Sequence, residues 1–131
     1  MILDEPFRGL DAMTRMLMLE YYVQLAEASP RTSLFVTTDI DEAILLADEL
    51  LIMGSIPTRV RATIPVDLRR PRRLADIVAD DRANAIKVEA LSLLHEEAVR
   101  SFATGSRAAA DFVSAYMRRH KGSRPQTMVG G

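Results

Sequence analysis

Residues 1–12 read MILDEPFRGLDA. Met1, Ile2 and Leu3 run straight into two adjacent carboxylates, Asp4 and Glu5, followed by a Pro6-Phe7 turn and a third carboxylate, Asp11. A short apolar run that stops at acidic residues and a proline reads as the C-terminal end of a buried parallel strand.

Downstream, Ala12–Ala28 places Met13, Leu17, Tyr21, Leu25 and Ala28 at helical spacing, with Asp11 as the N-cap and Ser29-Pro30 as the stop. Residues 32–37 (TSLFVT) are β-branched and apolar, as a second buried strand requires. Asp39 and Glu42 form an Asp-x-x-Glu capping pattern ahead of a helix over 40–47. Glu49–Met53 (ELLIM) is a third apolar strand, 54–57 a turn, and 60–66 (VRATIPV) an edge strand in which Pro65 is tolerated. The order βαβαββ predicts an α/β layer with a parallel core and a hairpin-like addition, held in residues 1–68. Within 69–103, RRPRR (69–73) reads as a solvated basic linker, and Leu74–Ala79 and 83–102 as helices. Thr104-Gly105-Ser106 breaks the pattern. In 104–131 a helical extension over 108–119 precedes a tail, 122–131, whose Gly, Pro and Ser content predicts disorder.

The 131 residues are 48% hydrophobic, and 17 basic against 18 acidic residues leave a net charge of −1, so no strongly charged partner is implied. The chain has no cysteine, which excludes a disulfide framework and a cysteine-built metal site. No basic leader precedes an apolar core, and runs such as 43–47 and 50–53 are too short to cross a bilayer; the reading is a cytoplasmic chain. Arg69, Arg70, Arg72 and Arg73 lack interleaved aromatics, so nucleic acid is not an expected partner. His95 shares a helical face with Leu91, Ala98 and Phe102 and reads as structural, His120 as solvated. Met13, Met16 and Met18 read as adaptable core packing.

An Asp at the end of a buried strand, followed at once by Glu, suits nucleotide hydrolysis: the Asp holds a magnesium ion through water and the Glu polarises the attacking water. A strand end with solvated acids gives the same string. Taken with LFVTTDIDEAILLADELLIM (34–53), however, MILDEPFRGLDA resembles the Walker B motif, D-loop and switch region of ABC-transporter ATPases. The longer string 37–73 is similar to the ATP-binding subunits of nitrate, sulfonate and taurine-type importers, and the resemblance extends from residue 1 to about residue 102. It implies a partial P-loop NTPase-like parallel sheet with flanking helices, Asp4 as the Mg²⁺-linked aspartate and Glu5 as the catalytic base. Gly9, Leu10 and Asp11 would belong to the D-loop that meets a partner subunit across ATP. Two positions depart from the pattern. Arg8 stands where a small residue is usual, and Thr38 stands where a histidine reaches the γ-phosphate; threonine lacks both the reach and the titratable imidazole.

A P-loop needs Gly-x-x-x-x-Gly-Lys-[Ser/Thr], because backbone amides and a lysine neutralise the phosphates. The only lysines are Lys87 and Lys121, neither in such a loop, and there is no LSGGQ-like signature. The resemblance therefore implies the C-terminal part of an ATPase subunit, from Walker B onward, which by itself neither binds ATP tightly nor hydrolyses it. Its implied partners are a second ATPase subunit, a membrane permease and a solute-binding protein, placing it on the inner face of the membrane. A non-catalytic module or decoy pairing with a full-length ATPase is the alternative. A phosphoacceptor receiver domain is disfavoured, since no lysine precedes Lys87 and no earlier strand carries an acidic pair.

Overall fold

In a computed structural model, residues 1–55 and 57–120 are described, and all statements below concern these. The expected tail at 122–131 lies outside them, as does Ile56 of the expected turn. The chain divides into two compact units, one ending at His95 and the other beginning at Glu96.

In the first unit, β1 (Ile2–Asp4) pairs in parallel with β2 (Leu34–Val36), with Leu3 opposite Phe35 and Asp4 opposite Val36. Helix α1 (Ala12–Ala28) makes the crossover. One face of the pair is packed: Phe35 meets Tyr22 of α1 at 5.8 Å and Phe7 of the turn at 6.1 Å between ring centroids. These aromatic contacts pin α1 to Phe35 on β2. The other face, Ile2, Leu34 and Val36, stays exposed, with Ile2 at 75%. The strands expected to be buried on both faces are thus covered on one.

Helix α1 also corrects the expectation for its buried side. Leu19 and Val23 are buried and Arg15, Tyr22 and Ala26 half-buried. Met13, Leu17, Tyr21 and Leu25 face outward, as do Met16 and Met18, so the methionines are not core packing. Apolar residues occupy both sides of this helix, and spacing alone could not say which stripe meets the sheet.

After α2 (Ile40–Leu46), β3 (Glu49–Met53) does not join a parallel core. It pairs antiparallel with β4 (Val60–Pro65) in a second two-stranded sheet, Leu51 opposite Thr63, with an irregularity at Ile52/Met53. Leu50 and Ile52 are buried while Leu51 and Met53 are exposed, the alternation of a sheet with one covered face. The mixed α/β expectation holds; the large parallel sheet is absent among the described residues. Helix α3 (Leu74–Ala79) and the start of α4 (Asp81–His120) complete the core, in which Ile44, Leu45, Ile64 and Ile86 are fully enclosed.

Two further expectations fail. The RRPRR segment is exposed at Arg69, Arg70, Pro71 and Arg73 but not at Arg72, so it is not solvated throughout. Arg72 is only 6% exposed. Its Nη1 donates to the carbonyls of Ile44 (2.9 Å) and Ala47 (2.5 Å), and its Nη2 to those of Val66 (3.0 Å) and Leu68 (3.2 Å). Arg70 donates to Asp48, Glu27 and the Leu46 carbonyl, and the Arg70-Pro71 peptide bond is cis. Burial, then the neighbouring Arg70 charge, push the Arg72 pKa down, yet a guanidinium remains charged. The carbonyls at the end of α2 have no intrahelical donor, and this cation supplies one. Nor does Gly105 break a helix, because α4 runs through it. Thr104 donates its hydroxyl back to the Arg100 carbonyl, 3.0 Å, in helical register, and a lone glycine costs only about 1 kcal/mol against alanine.

Candidate functional site

The ends of β1 and β2 carry the site. Glu5 follows Asp4 with φ of +41°, a left-handed conformation that a glutamate adopts only under constraint. Its N–H still donates to the Val36 carbonyl, 2.8 Å, so the ladder continues through the turn. The backbone twist swings the Glu5 side chain off the strand alternation and across to β2. There Thr38 Oγ1 donates to Glu5 Oε1 at 3.1 Å, while Arg8 Nη1 donates to Oε2 at 2.8 Å. Arg8 is largely exposed, so this second contact is weak and salt-sensitive.

Thr38 is held between two fixed neighbours. The Thr37 hydroxyl donates to Glu42 Oε2, and the Asp39 N–H donates to Thr37 Oγ1 at 3.1 Å. Asp39 Oδ1 accepts from the Glu42 N–H, 3.1 Å, the cap that starts α2. The expected capping box is only half formed, because the Glu42 carboxylate turns to Thr37 and to Arg15 rather than back to Asp39. Arg15 Nη2, from α1, reaches Asp39 Oδ2 at 2.7 Å and Glu42 Oε2 at 3.4 Å. Glu42 is 4% exposed, and a carboxylate so enclosed needs that cation.

Asp11 caps α1 as the sequence predicts, and both its oxygens are engaged: Oδ1 accepts from the Thr14 N–H (3.0 Å) and Oδ2 from the Thr14 hydroxyl (2.7 Å). The backbone bond first, then the hydroxyl, hold its pKa below the usual carboxylate value. Gly9 has φ of +84° with open space where a Cβ would stand, so dihedral preference and not crowding favours glycine there.

The structure thus brings Glu5 and Thr38 into contact. Asp4 is on the exposed face of the parallel pair and Asp11 in its cap. Asp4 is exposed and lies at the strand end. A lone accessible carboxylate fits a magnesium ion, which keeps several waters and takes one or two carboxylates; no cluster of three acidic or histidine ligands exists among the described residues. Sequence reasoning missed Arg15 and the inward turn of Glu42. The signal for Arg15 was its position on the same helical stripe as Leu19 and Tyr22, where a charge calls for a partner.

No family model matches the chain. It is 42% identical over 99 residues to an aliphatic sulfonates import ATP-binding protein of Pseudomonas syringae pv. tomato, covering 76% of this chain and 41% of that protein. It is 35% identical over 98 residues to a nitrate transport protein of Klebsiella oxytoca, covering 74% and 37%. To a bicarbonate transport ATP-binding protein of Synechococcus elongatus it is 34% identical over 98 residues, covering 74% and 15%. The chain spans between 15% and 41% of these relatives' length. None of its helices is long and apolar enough to cross a membrane among the residues described. Identity of this degree across three quarters of the sequence makes the chain a homologue of the ATP-binding subunits of ABC import systems.

Proposed function

We propose that residues 1–131 supply the metal-and-water part of an ATP hydrolysis site in an ABC importer of the nitrate, sulfonate and taurine type. The observation that carries this reading is the 3.1 Å contact of Thr38 with Glu5, which joins the ends of the two parallel strands around one carboxylate. Asp4 would hold Mg²⁺ through water, and the ion, when bound, offsets charge on the phosphoryl oxygens. Glu5 orients the attacking water and accepts its proton; the Thr38 hydroxyl fixes the carboxylate that does so. Thr38 cannot replace a titratable imidazole toward the γ-phosphate. Asp11, in the turn before α1, would face the nucleotide of a second ATP-binding subunit. A permease and a solute-binding protein would complete the system, with this subunit on the inner membrane face.

Since the sequence holds no Gly-x-x-x-x-Gly-Lys-[Ser/Thr] loop, the isolated chain should ignore ATP in isothermal titration while remaining folded by circular dichroism. Millimolar Mn²⁺ should broaden the amide signals of residues 4 and 5, and Asp4→Asn should abolish that broadening. Tight ATP binding by the chain alone, or broadening centred elsewhere, would overturn the assignment.

A further inference from the structure

We propose that Arg15 is a positioning residue for Glu5, acting through the switch-strand end. The inference deepens the reading above by naming what sets the carboxylate's environment, but its test does not depend on turnover.

Arg15 touches both acids that follow the Thr37-Thr38 pair, Asp39 and Glu42. Its Nη2 lies 2.7 Å from Asp39 Oδ2 and 3.4 Å from Glu42 Oε2. Glu42 in turn takes the Thr37 hydroxyl, and Thr37 Oγ1 takes the Asp39 N–H, 3.1 Å. Residues 37 and 39 are therefore fixed by one guanidinium, and the residue between them, Thr38, holds Glu5 Oε1. Arg15 projects from the first turns of α1, just past the Asp11 cap, and its own N–H donates to the Asp11 carbonyl at 2.9 Å. A displacement of the turn that carries Asp11 is thus transmitted by a covalent turn of helix and one ion pair to the Thr38 hydroxyl. Removing Arg15 leaves Glu42 enclosed with its charge uncompensated, and the cheapest relief is rotation of that carboxylate toward water, which releases Thr37.

The test is the ¹³Cδ chemical shift of Glu5 in the full 131-residue chain at neutral pH, with circular dichroism as the folding check. Thr38→Ala defines the shift of a Glu5 that has lost its hydroxyl partner. Arg15→Met should move the signal to that position, Arg15→Lys should leave it near wild type, and Arg15→Met with Thr38→Ala should move it no further than Thr38→Ala alone. Should Arg15→Met fail to fold, Arg15→Met with Glu42→Gln removes the stranded charge and should show the displaced signal. A folded Arg15→Met or Arg15→Met/Glu42→Gln protein with an unmoved Glu5 signal refutes the proposal, as does loss of folding in both.

Discussion

Arg72→Met removes the cation that ties the end of α2 to the end of β4. Four carbonyls lose a charged donor, and the bonds to Ile44 and Val66 are buried. A buried carbonyl left without a partner costs about 1–3 kcal/mol, so these two alone cost about 2–6 kcal/mol. Methionine preserves the packing of the aliphatic stem, which keeps the loss from growing further. Against the roughly 5–15 kcal/mol that holds an ordinary domain together, this is a large fraction. With a urea slope of about 1–3 kcal/mol/M, the unfolding midpoint should fall by about 0.7 M or more. The matched control is Arg70→Met, two residues away: its ion pairs to Asp48 and Glu27 are partly exposed, and their loss should cost about 1 kcal/mol or less. Urea unfolding followed by circular dichroism measures both. An Arg72→Met protein within about 0.5 kcal/mol of wild type would refute the clamp.

Two further outcomes are expected. The lowered pKa of Asp11 means that its cap stabilises the folded chain fully above the ordinary carboxylate pKa and is lost as pH falls through the depressed folded value; acid unfolding of Asp11→Ala should therefore lack that component, and an unchanged acid limb would count against the cap. Gly105→Ala places a methyl where nothing lies within 4 Å, and should stabilise α4 by about 0.5–1 kcal/mol in thermal melts, whereas a loss of helicity would mean a contact there that the structure does not contain.

Much of the local structure was legible residue by residue. Asp11 and Asp39 cap the helices they were expected to cap, because a short acceptor ahead of an amphipathic run satisfies orphan N–H groups wherever it stands. The apolar run ending in Asp4-Glu5 marked a strand end. Less legible were interactions in which two distant segments choose each other. The buried stripe of α1 could not be read because both stripes are apolar, and RRPRR reads as solvated until the carbonyls of α2 and β4 are seen to converge on Arg72.

The sequence by itself determined the homology to ABC-importer ATP-binding subunits, most of the elements, the Asp11 and Asp39 caps and the acids at the strand end, since these depend on neighbours within a turn or a strand. Only the tertiary structure decided that Glu5 swings back to Thr38 through a left-handed turn, that Arg15 serves two acids on another helix, and that β3 turns to β4 instead of the parallel pair. Buried charges and strand edges take whichever partner the packed chain brings within reach, and that partner is not encoded in spacing.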